Sequence, residues 1–96
     1  MADYSILYWQ EIPSLIEATD GNTTHKTQLS GQFQELIDLI AMKRGLAGSD
    51  AYLEGFHRGD PVQREGTPET VANAVREELE AQYDSIKLAA LEKSKD

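Results

Sequence analysis

The segment GQFQELIDLIAMKR, residues 31–44, carries the clearest helical pattern in the chain. Ser30 before it is a favourable N-cap, and Gly45 after it suits the left-handed conformation that ends many helices. Lys43 and Arg44 complement the negative end of the helix dipole. Apolar residues recur at the spacing that places them on one helix face: Phe33, Leu36, Ile37, Ile40 and Ala41. The pattern predicts an amphipathic helix over residues 31–44.

Three strands are predicted before this helix. Tyr4–Trp9 is rich in aromatic and branched residues, and Ile12-Pro13 is expected to end it because proline cannot donate to a neighbouring strand. Ser14–Thr19 predicts a second strand. Asp20-Gly21-Asn22 predicts a turn, since these residues tolerate positive φ. The polar segment Thr23–Leu29 then predicts a strand at an edge of the sheet.

The segment after the helix is ambiguous. Alternation in Ser49–Arg58 favours a fourth strand, and a short helical turn begun by Ser49-Asp50 competes with it. Gly59–Gly66 predicts a loop. Thr67-Pro68-Glu69 predicts the start of a second amphipathic helix, which continues past Leu88. Its apolar stripe consists of Val71, Ala74, Val75, Leu79, Tyr83 and Ile86.

These elements predict an α+β fold in a single domain, residues 1–92, followed by a frayed tail, residues 93–96. Its architecture is a three- to four-stranded antiparallel sheet with two amphipathic helices packed on one face, in the order β-β-β-α-(β)-α. This is the simplest arrangement that buries both apolar stripes.

Composition excludes several kinds of function. The 96 residues carry a net charge of −8, so neither nucleic acid nor an anionic membrane is an expected partner. There is no cysteine, which excludes disulfides, thiolate metal sites and cysteine-held iron–sulfur clusters. The start of the chain lacks the features of a signal peptide, and no stretch is apolar enough to span a membrane. A cytoplasmic location is therefore expected.

Two groups of side chains are candidates for contact with a protein partner. Aromatic residues are common anchors at interfaces and also common core residues, and Trp9, beside the polar Gln10-Glu11, is the aromatic most expected to be partly exposed. An acidic helix face is either simply solvated or a partner surface. The candidate partner-binding residues are Trp9, Tyr52, Phe56, Glu77, Glu80 and Asp84.

A weaker candidate is a ligand or metal site at His57 with Glu54 and Asp60. The spacing matches no HExxH or other ligand motif. No nucleophile elbow or phosphate-binding glycine pattern is present either. We therefore expect no catalytic residues, no cofactor and no enzymatic activity.

Three segments together resemble the bacterial virulence factor domain family. They are DYSILYWQEIPS (3–14), THKTQLSGQFQELIDLIAMKRGLAGSDAYLEGF (24–56) and ETVANAVREELEAQYD (69–84). The resemblance supplies no catalytic residue. It implies a small protein, in some members fused to Nfu/NifU-type scaffold domains, that accompanies tetrahydrofolate- and corrinoid-linked methyl-transfer enzymes.

The leading hypothesis is thus a small non-catalytic accessory protein that binds an enzyme or scaffold of bacterial one-carbon methyl transfer. The alternative is a small-molecule or metal-binding protein, or a minor enzyme, that uses the His57 region. A homodimer that pairs through the polar third strand is a further hypothesis.

Overall fold

The computed structural model describes residues 1–94, in which an antiparallel sheet of five strands accompanies four helices. The strands are β1 (Ala2–Trp9), β2 (Ile12–Thr19), β3 (Thr24–Gln28), β4 (Phe56–Arg58) and β5 (Val62–Arg64). The helices are α1 (Gly31–Lys43), α2 (Asp50–Glu54), α3 (Pro68–Ala81) and α4 (Tyr83–Lys93). The predicted α+β class is confirmed, with more elements than the sequence indicated.

The central strand of the sheet is β1. It pairs with β2 along its length on one side, and with the short strands β4 and β5 at its two ends on the other. β3 pairs with β2 and lies at an edge of the sheet, as predicted. The exposed Lys26 lies in the middle of that edge, and a charged residue there opposes pairing with another strand.

The first hairpin differs from its prediction. Ile12-Pro13 does not end the first strand but begins the second, and Gln10, with a φ of 52°, makes the turn. Pro13 lies opposite Tyr8, just beyond the point where the pairing register shifts. An irregularity at the start of a strand tolerates a residue without an N–H, which is why proline is accommodated here.

The region after α1 contains both a short helix and a strand, the two alternatives that its sequence indicated. Ser49–Arg58 forms the short helix α2 and then the short strand β4. The loop prediction for Gly59–Gly66 is wrong at its centre, where Val62–Arg64 forms β5. Because β5 pairs with Ala2–Tyr4, it satisfies backbone groups of β1 that β4 is too short to reach.

The second predicted helix begins where expected, but it consists of two helices, α3 and α4. Thr67 and Thr70 form a reciprocal capping box at the start of α3. The chain leaves helical geometry at Gln82, with φ −96° and ψ 3°, so that α3 and α4 are separate helices. Just beyond this break, Tyr83 packs edge-on against Phe33, with ring centroids 5.1 Å apart.

The predicted tail begins at the last residue of α4. Lys93 is helical, and the Ser94 hydroxyl donates to the Ala90 carbonyl at 2.7 Å. Lys95 and Asp96 lie outside the described residues.

One hydrophobic core joins α1 and α3 to the sheet. The predicted stripe of α1 is confirmed, since Phe33, Leu36, Ile37, Ile40 and Ala41 are all buried. They share the core with Ile16 and Ala18 of β2 and with Val71 and Val75 of α3.

The N-terminus of α1 is held by a carboxylate from α3. Ser30 occupies the predicted N-cap position, but its side chain makes no capping bond. Instead, its N–H and its hydroxyl each donate to the carboxylate of Glu80 at 2.7 Å. Burial alone would raise the pKa of Glu80, but the bonds from Ser30 and Gln32 and the charge of Arg76 together outweigh it and lower the pKa. Glu80 therefore caps one helix from another.

A second polar contact ties the opposite end of α1 to the first hairpin. Arg44 donates to both carboxylate oxygens of Glu11, at 2.8 and 2.6 Å, and also to the side chain of Gln10. Its Nε donates to the hydroxyl of Ser94, just beyond α4. Arg44 thus links the β1–β2 turn, α1 and the end of α4.

Replacing Glu80 with alanine should lower the free energy of unfolding by about 1–3 kcal/mol, because two donors at the start of α1 lose a charged acceptor. Urea unfolding followed by circular dichroism measures the change. Glu77→Ala, at an exposed position of the same helix, is the control and should stay within about 0.5 kcal/mol of wild type. Equal effects of the two substitutions would contradict the capping role.

The bonds from Arg44 lower the pKa of Glu11 below its usual value of 4.5. A lowered folded-state pKa stabilises the protein above the unfolded-state value, and this stabilisation disappears as the pH falls through the folded-state pKa. Glu11→Gln should therefore destabilise the protein near pH 7 and lose most of that effect well below pH 4.5. Urea unfolding of both proteins across this range tests the expectation. A difference independent of pH would contradict it.

Candidate functional site

Three of the predicted aromatic residues form one contiguous cluster. The Trp9 and Tyr52 ring centroids are 5.7 Å apart, and Tyr52 meets Phe56 edge-on at 5.8 Å. The Trp9 indole N–H donates to the Tyr52 carbonyl at 2.7 Å. The cluster therefore joins the end of β1 to α2 and β4.

The expected partial exposure of Trp9 is wrong, because its side chain is completely buried. The short helix α2 covers the indole and supplies the acceptor that a buried N–H requires. Trp9 consequently offers no surface to a partner. Tyr52 and Phe56 are half-buried, so part of each remains accessible.

A largely apolar groove of about 260 Å³ lies beside this cluster, between α1 and α2. Met42, one of its lining residues, has 69% of its surface accessible. The residues that line the groove are Asp38, Ala41, Met42, Ala47, Gly48 and Tyr52. We call it the α1–α2 groove.

The end of α1 creates this groove. Gly45 has a φ of 72°, as its predicted role at the helix stop requires. Its N–H donates to the Met42 carbonyl, and the N–H of Leu46 donates to that of Ala41, which is the Schellman pattern. Gly48 then adopts a φ of 74°, and α2 begins shortly afterwards. The chain therefore turns back while the last turn of α1 keeps an open side.

Polar groups lie along one wall of the groove. The Tyr52 hydroxyl donates to Asp38 Oδ1 at 3.4 Å, and Gln34 donates to the same oxygen at 3.1 Å. This arrangement orients the Tyr52 ring and leaves an exposed carboxylate next to an apolar surface.

The predicted acidic residues belong to two helices. Glu77 and Asp84 are exposed, with Glu77 on α3 and Asp84 on α4 beyond the break at Gln82. The carboxylate of Glu80 already accepts hydrogen bonds from Ser30. A partner would therefore compete with the cap of α1 for the Glu80 carboxylate.

The side chain of His57 is engaged by the first hairpin. Its Nε2 donates to the Gln10 carbonyl at 2.7 Å, and its ring stacks on Tyr8 with centroids 5.6 Å apart. Glu54 and Asp60 are exposed and do not join it in a cluster. Within residues 1–94, no three His, Asp or Glu side chains are grouped to hold a metal ion.

Two further cavities are more polar. One, of about 200 Å³, borders the β3–α1 junction at Gln28, Ser30 and Gln34. The other, of about 370 Å³, separates the β2–β3 turn from the start of α3, and Asp20 on its wall already accepts from the N–H groups of Asn22 and Thr23. In the described chain, every buried side-chain nitrogen and oxygen already has a hydrogen-bond partner. None of these atoms therefore needs a bond from a ligand.

Comparison with known proteins gives one match. The family model described as "Virulence factor" matches residues 7–91, which is most of the chain. The chain belongs to the virulence factor family. The α1–α2 groove lies within the matched residues of this family member. No curated protein and no solved structure matches the chain.

The sequence pattern of this virulence factor family member gave little indication of the groove. It identified Tyr52, but not Asp38 or Met42. The usable signal was Met42, an apolar residue that lies off the buried stripe of α1 and is therefore directed to solvent.

In the range of residues 1–94, no helix is long and apolar enough to cross a membrane.

Gly55 should not tolerate a side chain, because a Cβ there would lie 2.6 Å from Trp9 Nε1 and 2.9 Å from its Cε2. Gly55→Ala should lower the free energy of unfolding by about 1–3 kcal/mol and shift the Trp9 fluorescence spectrum. Gly31→Ala is the control, since a Cβ there meets nothing within 4 Å. An unchanged spectrum in Gly55→Ala would contradict the packing of α2 on Trp9.

Proposed function

We propose that this chain is a non-catalytic accessory domain that binds a protein partner through the α1–α2 groove. The observation that carries the proposal is an accessible apolar groove with Met42 and Tyr52 on its walls. Tyrosine is a common interface anchor because it combines a large rigid ring with a polar end. Methionine adapts its shape to a partner, which suits an exposed recognition position.

The size of the groove favours a protein side chain over a small molecule. Its volume of about 260 Å³ is below the roughly 300–1,000 Å³ of typical small-molecule pockets. The polar groups around it are one carboxylate, one amide and one phenol, and none is held as an activated nucleophile. These features support binding without catalysis.

For the partner, we propose a larger enzyme of bacterial tetrahydrofolate- or corrinoid-linked one-carbon methyl transfer, in the cytoplasm. Membership of the virulence factor family and the resemblance to members that accompany such enzymes support this choice. The net charge of −8 is compatible with a partner whose docking surface is basic or amphipathic.

Met42→Lys should weaken partner binding about tenfold or more, because it places a flexible charge in the apolar groove. The experiment is affinity purification from the native host with tagged wild type, followed by Kd measurement on the purified partner. Leu88→Lys is the matched control, since Leu88 is 62% exposed on α4 and lies outside the groove.

Circular dichroism and Trp9 fluorescence should be unchanged in both variants, which confirms folding. Recovery of a methyl-transfer enzyme whose affinity falls only in Met42→Lys supports the full proposal. A partner bound equally by both variants would contradict the groove assignment, and the absence of any specific partner would contradict the accessory role.

A further inference from the structure

We infer that the α1–α2 groove recognises a partner segment in which one apolar side chain is followed or preceded, within about one helical turn, by Lys or Arg. This inference rests on the proposed function and specifies the chemistry of the partner. It is carried by the size of the groove, by the charge at its wall and by the distribution of ion pairs over the molecule.

The apolar part of the recognition follows from the lining. Ala41, Ala47 and Gly48 have small side chains or none, so they leave room between Met42 and Tyr52 for a side chain of the partner. A single apolar side chain inserted there would contact the Met42 thioether and the face of Tyr52. The side chains of these small residues offer no hydrogen-bonding group to a polar side chain of the partner.

The charged part of the recognition follows from Asp38. Within residues 1–94, the hydrogen bonds to its carboxylate reach Oδ1 only, from Gln34 and from the Tyr52 hydroxyl. Both of these donors are neutral, so the negative charge of Asp38 is retained at the wall of the groove. An arginine or lysine beside the inserted side chain could bond to Oδ2 without disturbing either contact.

Other acids lie on the two helices that flank the groove. Glu35 lies three residues before Asp38 on α1, and Asp50 and Glu54 lie at the two ends of α2. In the part of the chain that the structure describes, none of these acids lies within 4.0 Å of a basic group. Lys43, next to Met42, is the nearest cation in sequence and offsets only part of this charge.

Ion pairs neutralise some acids elsewhere in the molecule. Glu11 and Glu17 are paired with Arg44 and Arg58, and Glu78 is paired with Arg64. Within residues 1–94, Asp38 has no such cation and lies on the wall of an apolar groove. This combination is complementary to a basic amphipathic segment, and it is unfavourable for an acidic one.

The test uses peptides as defined probes. A phage library of random 12-residue peptides is selected on the intact wild-type chain, with counter-selection on Met42→Lys. The enriched peptides should share an apolar residue with Lys or Arg within about four positions. One such peptide is then synthesised, and its Kd is measured by fluorescence anisotropy.

Four variants separate the apolar contribution to binding from the charged one. Met42→Lys should weaken peptide binding at least about tenfold, and Asp38→Asn about two- to fivefold with a smaller salt dependence. Leu88→Lys and Asp3→Asn are exposed controls outside the groove and should stay within about twofold of wild type. Trp9 fluorescence confirms that each variant is folded.

Several results would overturn the inference: no enriched peptide, enriched peptides without a basic residue, or equal binding to wild type and Asp38→Asn. Dimerisation of wild type that Met42→Lys abolishes would do so as well, since a second copy would then occupy the groove. The proposed function is judged separately. A natural partner that depends on Met42 but inserts no basic segment would retain the function and reject this inference.

Discussion

The bond from the buried Trp9 indole to the Tyr52 carbonyl is the contact on which the α1–α2 groove depends. A buried indole N–H is costly without an acceptor, and the acceptor here belongs to α2, a helix too short to be stable alone. The contact therefore satisfies Trp9 and holds α2 against the end of β1. Once α2 is held there, Tyr52 becomes the wall of a groove whose other wall is α1.

Charged side chains perform two separate tasks in this acidic chain. Glu80 caps α1 from α3, and Glu11 holds Arg44 between the first hairpin and the end of α4. These carboxylates have lowered pKa values because neighbouring donors favour their charged forms. Asp38 and Asp50 have no such cationic partner among residues 1–94, which leaves the negative charge near the groove available to another molecule.

The predicted acidic face assumed one continuous helix from Thr67 past Leu88. On a single helix, Glu77, Glu80 and Asp84 share a face at the right spacing. The break at Gln82 divides these residues between α3 and α4, and no proline or glycine marks it. Beyond the break, Tyr83 packs against Phe33 and Ala90 is buried in the core, through contacts with residues distant in the chain.

Local patterns in the sequence determined the α+β class, the course of α1, the edge position of β3 and the start of α3. Each of these depends on periodicity, capping or turn chemistry, which act between near neighbours. Resemblance in the sequence also indicated the family. Only the tertiary structure decided that Trp9 is buried, that β5 completes the edge of β1 and that Met42 and Tyr52 face one groove. Those outcomes depend on contacts between residues far apart in the chain, for which a single sequence carries no local signal.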